Sequence, residues 1–93
     1  MTVATLRLDL RISHCNSSRD LRRQMQAIME KLHRHFNVSV ADTERPGHSD
    51  QAILLVAAVG RNRHDTLEIL EHVADAIAVH PRTEVLGHAI TEV

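Results

Sequence analysis

Between Ser17 and Ala41 the hydrophobic period changes once, from 3.6 residues to 2, and that change limits the folds open to this chain. Placing residues 18 to 36 at 100° per residue gathers Leu21, Met25, Ile28, Met29, Leu32 and Phe36 into one arc, the apolar stripe of an amphipathic helix. Ser17 stands just ahead of it with Asp20 three residues on, the spacing of a capping box with Asp in place of Glu. Phe36, Val38 and Val40 then alternate with Asn37, Ser39 and Ala41, so a strand follows the helix directly. The opposite arc of the helix carries Arg19, Arg22, Arg23, Gln26, Glu30, His33 and Arg34. It shows solvent a mainly cationic face.

The rest of the chain supplies partners for this unit. From Val3 to Ile12, Leu6, Leu8, Leu10 and Ile12 alternate with Thr5, Arg7, Asp9 and Arg11, which predicts a strand with one buried face. Thr43 to Gln51 contains Pro46-Gly47 and reads as a loop. Ala52 to Val59 is apolar on both alternating sets, the pattern of a central strand covered on both faces. A second amphipathic helix is expected from about Asn62 to Val79, with Leu67, Leu70, Val73, Ala74 and Ile77 inward and His64, Asp65, Glu68, Glu71, His72 and Asp75 outward. Pro81 stops it, and Glu84 to Val93 alternates weakly as a last strand.

The order is β-α-β-β-α-β, an α+β ferredoxin-like split βαβ arrangement: a four-stranded antiparallel sheet with two neighbouring helices on one face, in one domain over residues 1–93. Leu8, Leu10, Ile28, Leu32, Leu55, Leu70 and Ile77 are the expected core. With Phe36 as its only aromatic, that core is aliphatic and thin.

Charge is uneven along the chain. Residues 1 to 45 hold eight Lys/Arg against five Asp/Glu, and residues 46 to 93 hold three against seven, so a net charge of −1 conceals a dipole. A single cysteine, Cys15, cannot form an internal disulfide, and the opening residues alternate like a strand instead of running as an apolar signal segment. A cytoplasmic location is the expectation. No apolar run reaches the roughly 20 residues needed to cross a bilayer, so no membrane partner is expected.

Ser17-Ser18-Arg19-Asp20-Leu21-Arg22-Arg23, followed by Asn37-Val38-Ser39-Val40-Ala41-Asp42, resembles the YlxP-like proteins. That bacterial family of domains of unknown function has a Ser-Leu-Lys-Asp-Lys-Arg-type helix start and an Asn-Val-Ser-Val-Ala-Glu strand. Ser18 departs from the family's Leu, Leu21 from a basic residue, and Gly47 to Gln51 from a segment that usually carries an aromatic. The resemblance implies a ferredoxin-like fold and basic character at Arg19, Arg22 and Arg23. From the family's gene neighbourhood beside translation-initiation and ribosome-maturation factors, it also implies a link to RNA or ribosomes. It implies no established activity.

Arg19, Arg22, Arg23 and Arg34 are therefore the candidate phosphate- or RNA-binding residues, beside a helix start whose free N–H groups favour anions. The competing reading is a face that is only solvated, or paired with the acidic second helix. Base stacking on the sheet is not expected, because the only aromatic, Phe36, sits at a helix end and is expected in the core. The eight histidines lack His-x-x-x-His spacing, and neither a metal nor another cofactor is expected. Cys15 precedes a helix start that could lower its pKa, but no base accompanies it. The acids Glu68, Glu71 and Asp75 lie on an exposed helix face.

The function expected is thus a non-enzymatic binding module that touches RNA or a ribonucleoprotein through its basic first helix. The alternative is a homodimeric interaction or regulatory domain that uses its apolar sheet face; a small-ligand sensor ranks behind both. A homodimer is expected either way, with Leu54 or Val56 of the third strand at the interface, because the helix-free side leaves aliphatic surface in water.

Overall fold

Alternating residues of β1 (Thr2–Ile12) divide cleanly by environment: Ala4, Leu6, Leu8, Leu10 and Ile12 are buried, whereas none of the residues between them is. That division sets the architecture of the computed structural model, which describes residues 1–93. After β1 come α1 (Ser18–His35), β2 (Ser39–Glu44), β3 (Gln51–Gly60), α2 (Arg63–Ala78) and β4 (Thr83–Glu92). The strands form one antiparallel sheet in the order β2-β3-β1-β4, with the two most apolar strands central. This is the ferredoxin-like split βαβ topology.

Both helices lie on the face shown by Leu6 and Leu8. α1 packs over β2 and β3, and α2 over β1, β3 and β4. Leu21, Met25, Ile28 and Leu32 of α1 and Leu70, Val73 and Ile77 of α2 meet Ala52, Leu54, Val56 and Ala58 of β3 in one aliphatic core. Phe36, Leu67 and Ala74 pack half-buried at its margin. Thr66 is also buried, satisfied by donating to the Asn62 carbonyl at 2.7 Å. A Cβ at Gly60 would collide with the Thr66 side chain, so glycine at the end of β3 lets α2 start against the sheet.

The structure corrects two expectations about β3. The strand is central but covered on one face only, so Leu55, expected in the core, is 47% exposed. Leu54 and Val56, expected at an interface, are fully buried beneath the helices. A strand apolar on both sets gives no local sign of which set the helices will cover. β2 also begins three residues later than the alternation suggests, because Phe36 ends α1 by donating its N–H to the Leu32 carbonyl at 2.8 Å.

Candidate phosphate-binding face

The start of α1 is held from three sides. The Ser17 hydroxyl accepts the Asp20 N–H at 3.2 Å and caps the helix. The Asp20 carboxylate turns instead toward Arg82, 4.0 Å away. Arg82 sits in the left-handed region (φ 64°) between α2 and β4, and its guanidinium donates to the Ser13 carbonyl from Nε at 3.0 Å and from a terminal nitrogen at 2.9 Å. The Ser13 N–H returns a bond to the Arg82 carbonyl at 2.8 Å, and the Ile12 N–H reaches the Asp50 carbonyl at 2.8 Å. The β1–α1, β2–β3 and α2–β4 loops are thereby tied together at one end of the sheet.

From this anchored start, α1 carries the arginines outward. Arg19, Arg22, Arg23 and Arg34 are all exposed. Arg22 forms an ion pair with Glu44 of β2 (Nε to Oε1, 3.5 Å), whereas Arg19, Arg23 and Arg34 have no acidic partner. Pairing with the acidic helix does not occur: no ion pair joins α1 to α2. Two of the acids on α2 and β4 pair elsewhere, Glu68 with His64 at 3.2 Å and Glu92 with Arg63 at 2.7 Å, while Glu71 and Asp75 stay solvated.

The structure also divides the four arginines. Arg19, Arg22 and Arg23 occupy the first two turns, where the helix dipole and unbonded N–H groups favour an anion. Arg34 lies about 22 Å from Arg19 along the axis at 1.5 Å per residue, in a last turn where the dipole favours cations. The four do not form one site. Arg45 was missed from the sequence: it is exposed, has no acidic partner, and borders with Ser18, Gly47 and His48 an open depression at the α1 start. The split βαβ order, which returns the β2–β3 loop to the end where α1 begins, is the signal that points to it.

Cys15 lies beside this region without adding a nucleophile. Burial foremost, and the nearby Asp20 carboxylate next, push its thiol above the ordinary 9.0, with Arg82 acting the other way. The lowering expected from a helix start is overridden, because the thiol is packed in the core cluster instead of facing solvent. The histidines stay scattered, and no three His, Cys, Asp or Glu side chains come together as a metal ion would require. No helix is long and apolar enough to cross a membrane.

Comparison with known proteins adds fold and family. A crystal structure of a protein provisionally assigned as a chlorite dismutase superposes with a TM-score of 0.59 at 16% sequence identity, covering 99% of this chain and 44% of that one. At that identity the likeness concerns the fold alone, and this chain spans less than half the length of the other. No curated protein matches. A family model for proteins of unknown function, DUF503, matches residues 3–90, and the chain belongs to that family.

Proposed function

We propose that this chain is a YlxP-like, cytoplasmic, non-enzymatic module that binds phosphates of an RNA or a ribonucleoprotein through the first two turns of α1. One observation carries the reading: Arg19 and Arg23 are exposed without acidic partners at a capped helix start, with Arg45 at the edge of the same region. Cation clusters whose charge is not spent on internal pairs are free to displace counterions from a phosphate backbone. The sheet has no aromatic on which a base could stack, so recognition rests on charge and not on sequence. The open face of the sheet, on the opposite side of the molecule from α1, is left for a protein partner. The two roles do not compete for residues.

Filter binding against ribosomal RNA at two salt concentrations tests the reading. Wild-type affinity should fall with salt. Arg19→Ala with Arg23→Ala should weaken binding on every RNA sequence and reduce the salt slope by about one unit for each phosphate no longer neutralised. Affinity and slope that stay at wild-type values in the double variant would remove α1 as the binding surface.

A further inference from the structure

Two residues other than glycine hold the left-handed backbone region, His14 at φ 63° and Arg82 at φ 64°. They belong to the two loops that meet beside the start of α1. A long side chain in that region carries strain that glycine would not. What Arg82 supplies there is a fork of contacts. Besides its two donations to the Ser13 carbonyl, one terminal nitrogen lies 3.3 Å from the His14 carbonyl, 3.9 Å from the Cys15 sulfur and 4.0 Å from an Asp20 carboxylate oxygen. Arg82 is also the least exposed arginine in any ion pair of the chain, at 36% of its side chain.

The effect on Asp20 stands out against Asp65 of α2. Each acid is the third residue of its helix, with its N–H bonded to the cap. In α2 the carboxylate stays over its own helix start, where it accepts from the Asn62 side-chain amide at 3.1 Å. In α1 the carboxylate makes no bond to Ser17, whose N–H, like those of Ser18 and Arg19, has no partner within the chain. An acid lying over that start would accept the Ser17 N–H itself, closing the capping box. It would also sit one residue from Arg19 and three from Arg23, cancelling part of the charge a phosphate meets.

We infer that Arg82 is a positioning residue for the phosphate-binding face of α1: it draws the Asp20 carboxylate aside, so that Arg19 and Arg23 meet a phosphate without a competing acid. The inference rests on the reading of α1 as that face. Arg82 acts through Asp20, and its bonds to the Ser13 and His14 carbonyls fix the guanidinium where it can do so.

Filter binding to ribosomal RNA and the Ser17 amide resonance, followed together in one set of variants, test the inference. Arg82→Gln should weaken binding about fivefold, the effect of one negative charge returned to the arginines of the first turns. It should also move the Ser17 N–H downfield as the Asp20 carboxylate accepts it. Adding Asp20→Ala should bring affinity back to within about twofold of wild type and reverse the shift, whereas Asp20→Ala alone should change binding less than about twofold. A purely structural role for Arg82 would be blind to residue 20. Arg82→Lys, which keeps a cation but not the fork, should show the same changes at smaller size and serves if the glutamine variant does not fold. A double variant that binds no better than Arg82→Gln, or a Ser17 resonance unmoved by loss of the guanidinium fork, would overturn the inference. Wild-type protein that fails to bind RNA would overturn the reading of α1 instead, and the Ser17 resonance would still decide whether Arg82 holds Asp20 aside.

Discussion

The two helices are built alike on the inside and oppositely on the outside. Each is capped by a side chain that accepts the N–H three residues on: Ser17 from Asp20 at 3.2 Å, and Asn62 from Asp65 at 2.8 Å. Each buries four side chains, those of α2 being Thr66 and three apolar core residues, and both cover the same face of the sheet. Their outer faces part company. α2 shows His64, Asp65, Glu68, Glu71, His72 and Asp75, with His64 and Glu68 paired within the helix. α1 shows four arginines, only one of which meets an acid. The inner faces answer to packing, which either helix must satisfy in the same way. The outer faces are not constrained by packing, and the unpaired charge of α1 is where the two helices differ most in what they offer a partner.

The strongest check on the shared inner design is Leu32→Ala in α1 beside Leu70→Ala in α2. Both leucines are essentially unexposed, so each truncation should cost about 2–5 kcal/mol by denaturant unfolding, with similar losses from the two helices. A loss confined to one helix would show that the two do not share a core. Gly60→Ala comes next. The added methyl meets Thr66 at the first turn of α2, and a cost of about 1–3 kcal/mol in thermal melts is expected, with no counterpart at α1.

Smaller effects belong to the caps. Ser17→Ala and Asn62→Ala should each cost about 1 kcal/mol. Asn62 should cost the more, because its amide also donates to the Asp65 carboxylate at 3.1 Å while the Asp20 carboxylate is drawn to Arg82. Equal or reversed losses in urea titrations would show that the Asn62–Asp65 pair adds nothing.

The smallest effect is a pH dependence at Cys15. Its thiol is raised above 9.0 in the folded chain, so the stability linked to it is complete below that value. That stability is lost as pH climbs from there through the folded value, because the unfolded chain ionises first. Cys15→Ala should flatten this alkaline slope. An identical slope in the variant would mean that other groups set it.

How much of this was legible in the residues differs from element to element. β1 and both helices follow from periodicity, because each hides one face and shows another. β3 hides its orientation: with both alternating sets apolar, Leu54 and Leu55 look equivalent until the helices choose one side, and only the tertiary structure buries the first and exposes the second. The cationic face of α1 is equally plain from spacing alone. What the spacing does not carry is that Glu44 of β2 comes within 3.5 Å of Arg22, or that Arg45 returns to the α1 start. Both depend on where β2 and its loop are folded against the helix.

The claim that α1 and not α2 is the binding face is tested most directly by amide chemical-shift mapping during a titration with ribosomal RNA fragments at low salt. Perturbations should concentrate on residues 18–24 and 45–48 and fade as salt is added, with α2 and the open sheet face unchanged. Perturbations centred on α2 or on the β3 stripe of Leu55 and Val59, with residues 18–24 silent, would contradict it.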